Sequence, residues 1–286
     1  MDLHDFGLAS DLEVMQQQAL ERRRLLRWVL AGAATLPLIS CGGSGGSDTA
    51  STSTGTGTGS SGTTTTTTTA GACAVIPEET GGPYPADGTN TNGGSIINVL
   101  NQTGVVRSDI RSSFNGATGV AAGVPLTIKL QLVNANASCA SLAGYAIYLW
   151  HCDRDGLYSL YSSGVTAQNY LRGVQETDST GSLSFATIFP GCYAGRMPHV
   201  HFEVYPSLVK AAAASNRIKT SQFTFPLATL NQVYTASGYT SSVRNLAQIS
   251  YATDNVFSDG TSLQMAGVTG NATDGYVVTL TVGVNG

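Results

Sequence analysis

The sequence predicts a mainly β protein, an antiparallel β-sandwich with short helices and long loops. Three observations point there. In Leu126-Thr-Ile-Lys-Leu-Gln-Leu132 apolar and polar residues alternate strictly, which places Leu126, Ile128, Leu130 and Leu132 on one face of a strand. The same period of two recurs at 182–188, 199–205, 219–225 and 275–282, and 145–150 is the continuous apolar run of a buried central strand. Turn signals at Asp155-Gly156, Ser179-Thr180-Gly181 and Pro190-Gly191 separate these runs. Many short strands joined by such turns pack as two sheets. Helical patterning is confined to 207–214 and 226–250.

Two other parts precede this domain. Residues 1–41 read as an export signal: Arg22-Arg23-Arg24-Leu25-Leu26-Arg27 leads into an apolar run from Trp28 to Ser40. Those 13 residues are too few to span a bilayer as a helix, which needs about 20. The arginine order resembles the bacterial twin-arginine signal, with an ordinary Sec signal as the alternative. Leu38-Ile39-Ser40-Cys41 resembles a lipoprotein cleavage box whose cysteine is acylated. Residues 42–72 are almost all Gly, Ser, Thr and Ala, with Asp48 the single charge, so they bury too little to offset their ordering entropy and read as a flexible linker. The folded domain is then 73–286. An exported protein is expected, lipid-anchored in the bacterial cell envelope or extracellular, meeting the membrane only through an acylated Cys41.

Charge and cysteine content narrow the function. The 286 residues carry 14 Lys and Arg against 18 Asp and Glu, a net charge of -4, and basic residues adjoin only at Arg22 to Arg24, so a nucleic-acid partner is excluded. Four cysteines follow Cys41, namely Cys73, Cys139, Cys152 and Cys192. In an oxidising compartment two disulfides are expected. Of the three pairings, Cys73–Cys139 with Cys152–Cys192 is preferred. The spacings are long and contain no CxxC pair, which argues against a thiolate metal cluster.

Histidine carries the chemistry. Only His151, His199 and His201 fall in the domain, and two of them form His199-Val-His201 within a strand. Side chains at i and i+2 share a face, about 6.6 Å apart along the strand, so both imidazoles can meet one ion while Val200 and Phe202 face the core. The neighbours sharpen this: Trp150-His-Cys-Asp-Arg-Asp-Gly156-Leu-Tyr158, then Arg172-Gly-Val-Gln175-Glu-Thr177-Asp178, then Pro190-Gly-Cys-Tyr193-Ala-Gly-Arg196-Met-Pro-His199. In this order they resemble the intradiol ring-cleavage dioxygenases, the catechol and protocatechuate 3,4-dioxygenase superfamily. The likeness is strongest over 145–205. It extends more weakly from Thr80-Gly-Gly-Pro-Tyr84 and Arg107-Ser-Asp-Ile-Arg111 to the end of the sequence.

The resemblance implies one non-haem Fe(III) per chain, held by Tyr158, Tyr193, His199 and His201. Phenolate is a hard anionic donor that favours Fe(III) over Fe(II), and with a free pKa of about 10 it needs a strongly Lewis-acidic ion to stay ionised. The resemblance also implies that the substrates are O2 and a catechol-type aromatic diol, whose ring opens between the two hydroxyl-bearing carbons. Tyr193 would help take up a diol proton, Arg196 would steady negative charge on the activated substrate, and Gln222 would stand near it. Tyr161 competes with Tyr158 for the first tyrosine role, and Tyr84 reads either as a pocket-mouth residue or as a turn aromatic. His151 reads as a packing histidine. The alternatives are a zinc or copper site of His151, His199 and His201, or an inactive surface-anchored binding module. Asp109 and Arg111 look like a local ion pair. The helical dimerisation region of the cytosolic catechol enzymes is absent, replaced by signal and linker, as in an exported branch of the superfamily.

Overall fold

The computed structural model describes residues 74–286; the expected signal 1–41, the linker 42–72 and Cys73 lie outside the described residues. In chain order the strands are β1 (Asp87–Asn92), β2 (Ser95–Asn98), β3 (Pro125–Asn134), β4 (Ala140–Ser141), β5 (Ala146–Trp150), β6 (Arg172–Glu176), β7 (Ser182–Ile188), β8 (His199–Tyr205), β9 (Lys219–Thr224), β10 (Gly267–Asn271) and β11 (Gly275–Val284). They make a β1–β2 hairpin and two larger sheets. The first sheet runs β10–β11–β3, with β7 and then β4 along the far edge of β3, and the second runs β6–β5–β8–β9.

The mainly β sandwich stands, with one departure. Every named strand pairing is antiparallel except β11 on β3, which is parallel from Tyr276 opposite Leu126 to Val284 opposite Asn134. Alternation fixes which face a strand buries but says nothing of its direction. The expected helical stretch 226–250 divides into α1 (Leu227–Val233) and α2 (Thr240–Leu246), with Gly238 at φ +95° between them. At 207–214 only short 3-10 turns form. Among the described residues no helix is long and apolar enough to cross a membrane.

The core lies between the two sheets. Leu126, Ile128, Leu130 and Leu132 of β3 and Phe185 of β7 pack against Ile147 and Leu149 of β5 and Val200, Phe202 and Val204 of β8. Each fully buried side chain of this size contributes roughly 1.5–3 kcal/mol. The outer face of the second sheet is covered as well. Ala146, Tyr148, Trp150, Val174 and Tyr205 pack against Ala86, Val99, Leu100 and Val105 from the N-terminal strap. All seven residues of β8 are therefore buried, and the polar ones need partners.

Glu203 shows what that burial does. Its Oε2 accepts from the Tyr205 hydroxyl at 2.5 Å, and Arg217 reaches both Asp87 and Glu203, at 3.4 and 3.7 Å. Burial first, and the Asp87 carboxylate second, push the Glu203 pKa up to about 8. The folded protein holds this proton more tightly than the unfolded chain. Its stabilising contribution is full below about pH 4.5, declines as pH rises, and is gone above about pH 8. Glu203→Gln should flatten the fall in unfolding free energy between those values, by at most about 1.4 kcal/mol per pH unit, in denaturant titrations. An unchanged pH slope would refute the assignment.

Cys139 is disulfide-bonded. The expected bridge between Cys152 and Cys192 is absent: both are free, buried thiols. Each sulfur is turned to a carbonyl, Cys152 to Gly191 at 3.5 Å and Cys192 to Arg196 at 3.4 Å. Burial pushes the Cys192 thiol up to about 12 and that of Cys152 well above its usual value, which withholds the thiolate that disulfide exchange requires.

Candidate metal centre

Strand β8 presents His199 and His201 on its strap-covered face, opposite Thr224 and Gln222 of β9. The Nδ1–H of His199 donates to the Met197 carbonyl at 2.6 Å, which fixes the tautomer and leaves the Nε2 lone pair facing the centre. His201 is oriented by stacking: its ring lies 4.9 Å from Trp150 at an interplanar angle of 4°. On its other side the strap turns tightly at Gly82, φ +66°, where a Cβ would come within 3.4 Å of the imidazole.

The two tyrosines arrive on loops. Tyr158 follows β5 and Tyr193 precedes β8, and these loops touch through glycine. Gly191 donates its N–H to the Asp153 carbonyl at 3.0 Å, and a Cβ at Gly191 would lie 2.5 Å from the Arg154 oxygen. A Cβ at Gly156 would meet that of Tyr193 at 3.0 Å. Because the backbones lie this close, the hydroxyls of Tyr158 and Tyr193 stand 3.4 and 3.3 Å from His199 Nε2, and His201 Nε2 stands 3.0 Å from it. Four donor atoms of the expected types thus surround one point. Tyr158 is buried and Tyr193 only half-buried.

Electrostatics prepares these groups for a cation. Burial holds both imidazoles well below their usual pKa, with Arg196 adding to the effect, so their lone pairs are free of protons. Burial also keeps the Tyr158 phenol well above its usual value, so it ionises only when a positive charge arrives. His201 Nδ1 is buried, faces the Thr80 backbone and makes no proper hydrogen bond.

Arg196 is buried beside the phenols. Its Nε donates to Asp254 Oδ2 at 3.0 Å and its Nη2 to Gln222 Oε1 at 2.8 Å, while Gln222 Nε2 donates to the Thr80 carbonyl at 2.7 Å. Burial opposes the charge, but Tyr193 and Asp254 outweigh it and raise the guanidinium above its ordinary pKa. All six candidate residues, Tyr158, Tyr193, Arg196, His199, His201 and Gln222, are thereby brought together.

The rivals are occupied elsewhere. The hydroxyl of Tyr161 donates to Asn90 at 2.6 Å and accepts from the Ala86 N–H at 2.9 Å. Both nitrogens of His151 are engaged, with the Cys152 carbonyl at 2.7 Å and the Thr187 hydroxyl at 2.8 Å, and burial pushes its pKa down to about 4. A site of three histidines is not formed, and among the described residues no group of three His, Cys, Asp or Glu is placed to hold a metal. Tyr84 packs its ring against Tyr158 at 4.9 Å and Tyr161 at 5.1 Å. Asp109 and Arg111 form an ion pair at 2.6 Å between half-exposed side chains.

Residues 105–215 match the family model described as Dioxygenase. Over that segment the chain is similar to the dioxygenase family. Its fold is that of an intradiol ring-cleavage dioxygenase from Tetranychus urticae, at 24% identity and a TM-score of 0.57, over 74% of this chain and 95% of that one. A dioxygenase domain from a carbohydrate-binding fusion protein of Streptomyces sp. SirexAA-E is 23% identical, with a TM-score of 0.46 over 74% and 99% of the two chains. No curated protein matches. The matched segment contains Tyr158, Tyr193, Arg196, His199 and His201, whereas Gln222 lies beyond it. Sequence reasoning misses Asp254, which sits in a loop without periodicity and has no motif around it.

Proposed function

We propose that the domain is a non-haem Fe(III) enzyme that adds both atoms of O2 to a catechol-type aromatic diol and opens the ring between the hydroxyl-bearing carbons. The observation that carries this reading is the convergence of two neutral imidazoles and two phenols on one point beside a buried guanidinium. Fe(III) fits that donor set. Two phenolates would balance most of its charge, and a cation held by the imidazole Nε2 atoms would let His201 keep its proton on Nδ1, which faces the Thr80 backbone. Bound there, Fe(III) would supply the Lewis acidity that ionises the phenols and draws a diol into reaction with O2.

The remaining steps belong to the protein. Tyr193, the more exposed phenol, is the side chain assigned to shift when a diol enters and to take its proton at the phenolic oxygen. Arg196 holds the negative charge that develops on the ring, and needs no reorganisation because both its Nε and Nη2 are tied down. The strap over His201, with Gly82 against the ring and Tyr84 on Tyr158, keeps water from the opposite side.

Purified domain should contain about one iron per chain, show the visible charge-transfer band of tyrosinate–Fe(III), and consume oxygen with at least one of catechol, hydroxyquinol or protocatechuate. Colourless protein that takes up no stoichiometric iron would overturn the iron reading. Iron-loaded protein without oxygen uptake across the panel would overturn the ring-cleavage reading.

A further inference from the structure

Beyond α2 the chain returns to the centre at Asp254, a fully buried carboxylate outside the family-matched segment. Its Oδ1 accepts from the N–H groups of Val256 and Phe257 at 2.8 and 3.1 Å, so the side chain is locked by its own turn. That leaves Oδ2 aimed at the centre, where it accepts from Arg196 Nε at 3.0 Å and from the Met197 N–H at 2.6 Å. The two contacts lead to different groups. Through Nε the carboxylate sets the guanidinium plane, with Gln222 holding Nη2 from the other side. Through the Met197 backbone it reaches His199, because the same residue's carbonyl, on the other side of its Cα, accepts the His199 Nδ1–H. Phe257, the second residue of the same turn to bind Oδ1, places its ring 5.9 Å below the guanidinium and 6.5 Å from His199.

We propose that Asp254 is a positioning residue for the reaction, one carboxylate oxygen fixing both the charge-stabilising Arg196 and the metal-facing His199. This rests on the iron reading above. A carboxylate suits the task because it only accepts, and it meets four donors. Asparagine has the same shape but offers an NH2 to one of those donors, so one arm must let go. Glutamate keeps the charge but carries it one methylene farther.

The test compares wild type with Asp254→Asn, Asp254→Glu, Arg196→Lys and the double variant Asp254→Asn/Arg196→Lys. In iron-loaded protein Asp254→Asn should lower kcat by about 10- to 100-fold, the range for groups that orient ligands, while KM for catechol changes by less than about threefold. The charge-transfer band should shift, and Asp254→Glu should recover part of kcat. The double variant should be slower than Arg196→Lys alone by clearly less than the factor by which Asp254→Asn slows wild type, because the Arg196 arm is already lost and only the His199 arm remains. Multiplying effects, or an Asp254→Asn enzyme with wild-type kcat, would overturn the proposal. A separate readout uses metal-free, 15N-labelled protein. Asp254→Asn should move the Arg196 Nε–H and His199 Nδ1–H resonances, and unmoved resonances in a folded variant would overturn the proposal. If Asp254→Asn does not fold, the same resonances and kcat are read in Asp254→Glu, where wild-type values would overturn it. If wild type itself takes up neither iron nor oxygen, the iron reading falls, and with it the catalytic part of this proposal; the metal-free resonances still decide whether Asp254 positions the two groups.

Discussion

His199→Ala is expected to abolish iron binding and turnover together. Its Nε2 is the atom to which the other three donors are referred, at 3.0, 3.3 and 3.4 Å, so its loss opens the middle of the set rather than one corner. Groups that merely orient ligands are worth about 10- to 100-fold in metal affinity, so removing the ligand itself should cost at least about 100-fold. Iron analysis of protein loaded with equimolar Fe(III) should fall from about one per chain to below about a tenth. The fold should survive, since the lost packing and the Met197 carbonyl left without its donor cost on the order of 1–3 kcal/mol. His151→Gln supplies the contrast. That imidazole is as deeply buried and directly follows β5, the strand paired with β8, yet its nitrogens are spent on Cys152 and Thr187. It should keep its iron. Retention of iron by His199→Ala, or its loss from His151→Gln, would contradict the site as drawn.

The second large effect is expected at a residue with no side chain. A Cβ on Gly191 would stand 2.5 Å from the Arg154 oxygen, 2.8 Å from the Arg154 carbon and 2.9 Å from the Asp153 oxygen. All three are backbone atoms, so nothing can rotate away. Gly191→Ala must separate the loop bearing Tyr193 from the loop bearing Tyr158, breaking the Gly191 to Asp153 hydrogen bond in the process. The expected cost is about 3 kcal/mol or more, which for a domain of this size lowers Tm by roughly 6–12 °C. Iron should be lost with it, because the two hydroxyls no longer meet. Gly93→Ala, at positive φ (+57°) unlike Gly191 and with nothing within 4 Å of the added carbon, tests backbone strain without crowding and should retain iron. Equal iron content and Tm in Gly191→Ala and wild type would dispose of the claim.

Pro190-Gly191 and Asp155-Gly156 illustrate what could be read without coordinates. Both mark turns, as their composition says, but their use is to let two backbones touch, and nothing local announces that. The strands at 182–188 and 199–205 were legible to the residue because their alternation continues to both ends. Strand β6 was not, because its Arg172 is a buried guanidinium held by Ser159, Pro85 and Tyr148, and a charged residue does not look like an inward one. The residues that converge at the candidate centre were legible through motif order, since each sits beside punctuation that fixes its register. Asp254 stands 53 positions beyond His201 in chain numbering and joins the site only through tertiary folding. The mistaken Cys152–Cys192 bridge has a similar cause. Proximity can be guessed from the order of elements, but the direction of a Cβ cannot.

The parallel pairing of β11 with β3 also governs when this protein can fold. Its partners, Tyr276 and Leu126, are separated by about 150 residues, and a contact of that span is among the last a chain can afford to close. Until residues 275–284 have been synthesised, the alternating strand at 126–132 has an open edge of unpaired backbone beside four large apolar side chains. The hairpin-like neighbours β5, β6, β8 and β9 can assemble earlier, so the sheet that carries the histidines takes shape before the sheet that backs it is complete. Metal capture would then track the assembly of the first sheet, while protection from aggregation waits for the second.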